Sequence, residues 1–177
     1  MILDYDWTEF TRDGRAFAAR LHHDTGHGAP WEKSDCHGVV SEWTTRDKRP
    51  GERVLSTDSW GRARRYYDVQ ATRKIAVANG WSAAPHDQGT RRERAARAVA
   101  EDFDLLRRWC ADLWHYVGVE VVPLCRCCNA PDEARGQSLW GIESFCDDYL
   151  VEVAEELADE IIACEAASQQ TTGGSPR

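Results

Sequence analysis

Apolar residues at steps of three and four mark two long helices. Over residues 90–115, Ala96, Val99, Phe103, Leu106, Cys110 and Leu113 follow one another at that spacing and draw one apolar stripe. Over residues 147–166, Leu150, Val153, Leu157, Ile161 and Cys164 do the same, with acids on the remaining faces. Trp7, Phe10, Phe17 and Leu21 predict a further helix over residues 6–23, interrupted by Gly14 and closed by the turn chemistry of Thr25, Gly26, Gly28 and Pro30. Between these helices the pattern changes. Residues 38–45 and 52–57 read as strands joined by a loop over 46–51, and residues 62–67 as a third strand. Asp68 is suited to cap a short helix that Gly80 ends. A valine-rich strand over 116–124 pairs with 138–144, and the intervening 125–137, with Asn129, Pro131 and Gly136, reads as an irregular tip. A strand pair followed by a helix thus occurs twice, over 43–79 and 117–166, a faint internal similarity.

This order predicts an α+β protein: antiparallel sheet from two hairpin-like strand groups, with three to four helices packed on it. The expected divisions are an N-terminal helix and loop over 1–28, one α+β domain over 29–166 and a flexible tail over 167–177. At 177 residues, with 42% hydrophobic and 29% charged side chains, the chain is long and apolar enough to close a core. No apolar run approaches the roughly 20 residues of a membrane span, and the first residues have no signal-peptide pattern. The cytoplasm, with reduced thiols, is the expected compartment.

Charge sharpens the picture. The formal net charge is −8, but residues 141–170 hold nine acids and no Lys or Arg. The remainder holds 21 acids against 22 bases, and residues 46–74 alone hold nine bases against four acids. Such segregation steers charged partners, unless the two regions simply pair or face solvent. Asp148, Glu152, Glu155, Glu156, Asp159 and Glu160, on the outer face of the last helix, are the candidate contacts for a basic protein surface. Arg46, Lys48, Arg49, Arg53, Arg64 and Arg65 are the candidates for the alternative, phosphate contacts with nucleic acid.

Motifs for catalysis are missing: no nucleophile elbow, Walker loop or dinucleotide fingerprint occurs. A metal-dependent enzyme is the third alternative, resting on histidines and cysteines. His22, His23 and His27 lie beside Asp24, with Cys36 and His37 a loop away, but Gly26 breaks the helical spacing of His23 and His27. Cys125, Cys127 and Cys128 form C-x-C-C, whose single C-x-x-C supplies two of the four ligands zinc wants; Cys110 and His115 are the other candidates. Free thiols, no cofactor and a non-enzymatic role are the expectation. The eight tryptophans are expected mostly in the core, with any exposed ones as interface candidates.

Several strings carry a resemblance. They are residues 29–32 (APWE) and 37–40 (HGVV), Trp43, residues 46–52 (RDKRPGE), Tyr66-Tyr67-Asp68 and Gly80-Trp81. In the second half they are residues 116–119 (YVGV), 138–144 (SLWGIES) and Asp148-Tyr149-Leu150. Together they resemble uncharacterised small acidic proteins encoded by tailed bacteriophages, prophages and related mobile elements, over about residues 30–162. The resemblance implies no chemistry but does imply a setting, the cytoplasm of a bacterial host. Small phage accessory proteins without catalytic motifs act by binding host machinery. The expected function is therefore inhibition of a host defence or nucleic-acid-processing complex, one whose basic nucleic-acid-binding surface an acidic helix can occupy. In that family the stretch matching 125–137 is an acidic, glycine-containing hairpin. The three cysteines depart from it and argue against zinc.

Overall fold

An Asp-Gly pair decides the N-terminus. Asp13 and Gly14 take φ of 48° and 71°, the left-handed pair of a two-residue hairpin turn, and Arg12 faces Arg15 across it. The expected helix over 6–23 is therefore two strands. The computed structural model describes residues 1–32 and 37–172. In chain order it contains β1 (Thr8–Arg12), β2 (Arg15–His23), β3 (Glu52–Thr57), β4 (Arg64–Asp68), α1 (Val69–Asn79), α2 (Arg91–Cys110), β5 (Tyr116–Pro123), β6 (Gln137–Glu143) and α3 (Asp147–Thr172), with short 3-10 turns at Pro30–Glu32 and Glu133–Arg135. The architecture is α+β. The chain forms two compact units: Met1–His27 with His115–Arg177, and Gly28–Trp114.

In the first unit β1-β2-β5-β6 form one antiparallel sheet. Alternation sends Phe17, Ala19 and Leu21 of β2 and Val117, Val119 and Val121 of β5 to one face, where α3 buries Leu150, Val153, Ala154, Leu157, Ala158 and Ile161 against them. Each fully buried large apolar side chain contributes about 1.5–3 kcal/mol, so this face holds the unit together. Cys164, expected inward, is exposed. One helical turn beyond Ile161 the interior neighbours become charged, with Glu165 receiving Arg15 and Arg135. On the opposite face, Ala18, Val122 and Leu124 pack with Trp7. The tail expected from residue 167 is still helical to Thr172; residues 173–177 lie outside the described residues.

In the second unit β3 and β4 pair antiparallel and α1 follows at once. Asp68 caps α1 by accepting the Ala71 N–H at 2.8 Å, and Gly80 closes it at φ 71°. Thr90 and Glu93 form a reciprocal capping box on α2, which buries Val99, Phe103 and Leu106 as expected. The helix ends at Cys110 rather than at His115, because Asp112 takes φ 55° and turns the chain, leaving Leu113 67% exposed. The strand expected over 38–45 is reduced to two isolated bridges, Val40 to Tyr67 and Thr44 to Arg64. The segment is instead anchored by the buried carboxylate of Asp102. That group accepts the Gly38 N–H at 2.8 Å and the Tyr67 hydroxyl at 2.6 Å, and lies 2.7 Å from His37 Nδ1. Of the eight tryptophans only Trp114 is fully buried among those expected in the core. Trp60, at the β3–β4 turn, is 78% exposed, and Trp43 and Trp140 are about half exposed.

Candidate partner-binding surface

Charge divides between the units. Gly28–Trp114 holds 16 Lys and Arg against 13 Asp and Glu, a net +3; the other unit holds 6 against 17, a net −11. The acids of α3 fall into two sets. Glu155 and Asp159 lean towards β1, where Arg12 donates from Nε and Nη2 to both oxygens of Asp159 at 2.8 and 2.7 Å and from Nη1 to Glu155 at 2.7 Å. Arg15 clips Glu165 one turn further on. These guanidinium groups hold the Asp159 and Glu165 carboxyls below the usual carboxylate range, Arg12 acting on the first and Arg15 on the second. The arginines bracketing the Asp13-Gly14 turn thus fasten α3 to the sheet.

Asp148, Glu152, Glu156 and Glu160 form the second set. They recur every four residues, all are exposed, and none has an ion pair among the described residues. They make one continuous anionic ridge along α3, with Tyr149 half exposed beside its start. Of the six acids expected to meet a partner, the structure brings these four together and commits Glu155 and Asp159 elsewhere.

The basic candidates fare differently. Arg46 forms a two-pronged pair with buried Glu52 at 2.6 and 2.7 Å, and this pairing lowers the Glu52 carboxyl. Arg53 lies over the Phe103 ring at 3.6 Å, and Arg65 lies between Trp31 and Trp43. Lys48, Arg49 and Arg64 are exposed and have no ion pair among the described residues. The sequence counted Arg73 and Lys74 in the basic region over 46–74 but did not foresee the groove they form with Arg92. Arg73 and Lys74 of α1 and Arg92 of α2 line a groove of about 640 Å³ together with Glu93, Val77, Ala78 and Ala96.

The histidines do not converge. Strand alternation sends His22 and His23 to opposite faces of β2. His22 Nε2 lies 2.7 Å from Glu120, which Arg20 also reaches at 2.8 Å. Burial works to raise the Glu120 carboxyl, but these two partners hold it below its ordinary value. His23 stacks on Tyr5 with ring centres 4.6 Å apart and lies 4.4 Å from the tilted ring of His115, whose Nε2 is 2.6 Å from the Tyr5 hydroxyl. Burial, and then the His23 charge, lower the His115 pKa. His27 lies against Tyr116 with ring centres 4.0 Å apart, 3.6 Å from Asp24. His37 is taken by Asp102, and Cys36 lies outside the described residues.

Among the described residues, one group of three or more potential metal-binding side chains converges: Cys125, Cys127 and Cys128, their sulfurs all within 4.8 Å of one another. Cys127 therefore joins the expected Cys125 and Cys128, whereas Cys110 packs at the edge of the Gly28–Trp114 core and His115 is held by Tyr5. Hydrogen bonds from Cys127, backbone and side chain, and from Cys128 lower the Cys125 thiol to about 7, while proximity to Cys125 raises Cys127. Among the described residues no helix is long and apolar enough to cross a membrane. No protein-family model matches the chain, and no curated protein or solved structure matches it.

Proposed function

We propose that the protein acts by binding, presenting the α3 ridge to a basic surface on a protein partner. The observation that carries this is the ridge itself. Asp148, Glu152, Glu156 and Glu160 are exposed and unpaired among the described residues, one turn away from acids that Arg12 has already satisfied. Three neighbouring like-charge pairs at this spacing destabilise the helix by roughly 0.2–0.5 kcal/mol each. A chain that supplies Arg12 and Arg15 to one flank and leaves the other flank anionic has a use for the charge. Exposed carboxylates meeting a basic patch raise the association rate and make it sensitive to salt. The resemblance to phage and mobile-element proteins supports a host defence or nucleic-acid-processing complex as the partner, in a bacterial cytoplasm, with inhibition as the outcome.

Nucleic acid is the second reading, favoured by the unpaired Lys48, Arg49 and Arg64 and by the basic groove between α1 and α2. One experiment separates the two. Immobilised protein is offered host lysate at about 100 mM salt, once untreated and once nuclease-treated, and captured proteins are eluted with a salt step. Capture by the wild type and loss in Glu152→Lys/Glu156→Lys/Glu160→Lys support the ridge. Capture that depends on nuclease-sensitive material and is lost in Lys48→Glu/Arg49→Glu/Arg64→Glu supports nucleic acid instead.

A further inference from the structure

We propose that the tip after β5 is a three-thiolate site for a soft monovalent ion of the copper(I) class, held by Cys125, Cys127 and Cys128. The three sulfurs come from four consecutive residues and already lie within 4.8 Å of one another, Cys125 and Cys127 at 3.0 Å. A metal bonded to three sulfurs in one plane at about 2.3 Å holds them about 4 Å apart, so small side-chain rotations suffice. The backbone under them is closed from both ends. The Cys125 N–H donates to Ala130 O at 2.9 Å, the Asn129 N–H to Cys125 O at 2.8 Å and the Asp132 N–H to Pro123 O at 3.0 Å. Asn129 takes φ 56° to complete the turn. The turn is thus formed before any ion arrives.

Ligand chemistry selects the ion. Among the described residues no carboxylate or imidazole joins the group, so it offers little to hard, oxygen-seeking cations such as magnesium and calcium. Zinc favours four ligands in a tetrahedron and would need water to complete its shell here. Thiolates favour copper(I), which accepts three sulfurs in a plane. Cys127 and Cys128 are exposed, so the ion has direct access. Binding forms three sulfur–copper bonds and releases to solvent each proton the three thiols still carry, with copper staying monovalent and no sulfur oxidised.

The test is an anaerobic titration of the fully reduced, full-length protein with copper(I) buffered by bicinchoninate. The wild type should withhold one equivalent from the competitor and develop near-ultraviolet thiolate-to-copper absorption, and X-ray absorption should count three sulfurs around copper. Cys127→Ser should weaken binding at least 100-fold while its circular dichroism stays that of the wild type; Cys146→Ser should bind like the wild type. Zinc in the matching titration should bind at least 100-fold more weakly than copper. Failure to withhold copper, equal retention by Cys127→Ser, a two-sulfur count or preferential zinc uptake would each overturn the assignment.

Discussion

Asp102 ties the loop at His37 and Gly38 to β4 and α2 within the Gly28–Trp114 unit. Asp102→Ala removes the acceptor shared by the Tyr67 hydroxyl, the Gly38 amide and His37. Gly38 and His37 belong to a loop that can turn towards water, but Tyr67 is wholly buried, and its hydroxyl is left with only Val99 O at 3.4 Å and the Thr72 side chain, which already bonds the Asp68 carbonyl. A stranded buried hydroxyl costs about 1–3 kcal/mol, and a lost hydrogen bond to a charged acceptor about 1.5–3 kcal/mol. With partial rescue of the loop groups by water, the expected loss is about 3–4 kcal/mol. For a chain of this size the urea slope is about 2 kcal/mol per molar, so the midpoint should fall by roughly 1.5–2 M. Urea melts combined with hydrogen exchange of the α2 amides measure this and locate it in the right unit. Adding Tyr67→Phe removes the stranded hydroxyl and should restore at least about 1 kcal/mol relative to simple additivity. A single-variant loss below about 0.5 kcal/mol, or strictly additive behaviour, would refute the reasoning.

Gly14→Val forces a β-branched residue into φ 71° and should cost about 1–2 kcal/mol, read as a lower melting temperature. Acid should loosen α3. The Asp159 and Glu165 carboxyls are lowered by Arg12 and Arg15, so the stability they contribute is complete above the ordinary carboxylate value of about 4 and is lost as pH falls through their lowered values. Hydrogen exchange of α3 at pH 6 and pH 3 should show this loss, and Arg12→Ala should abolish much of the difference. Cys125 should react with iodoacetamide with a half-maximal rate near pH 7, against about 8.5 for an ordinary thiol, as mass spectrometry of the 125–135 peptide can show.

Where period and punctuation agree, the fold was legible. Asp68 and Gly80 bracket α1, Thr90 opens α2, and the stripe through Val99, Phe103 and Leu106 is buried as its spacing requires. The N-terminus misled because Phe10, Phe17 and Leu21 satisfy a helical period while Phe17, Ala19 and Leu21 also alternate. Alanine is too weakly apolar to make the second pattern stand out, and the signal that decides is Asp13-Gly14. Asp102 could have been noticed as an acid inside the apolar stripe of α2, three residues after Val99. The acids of α3 were visible, but not their division into two sets. Glu155 and Asp159 are neutralised by Arg12, more than 140 residues away, and no local pattern encodes that meeting. The C-x-C-C spacing was plain in the sequence; the convergence of all three sulfurs required the turn.

The ridge is tested most directly by the association rate with the protein captured from host lysate, measured by stopped flow across ionic strength. The wild-type rate should fall steeply with salt. Glu152→Lys/Glu156→Lys/Glu160→Lys should associate at least about tenfold more slowly at low salt and converge with the wild type at high salt. Arg12→Ala, which frees Glu155 and Asp159 while leaving the ridge intact, should associate no more slowly than the wild type. Equal rates and equal salt slopes for the wild type and a folded triple variant would contradict the claim that α3 is the surface the partner meets.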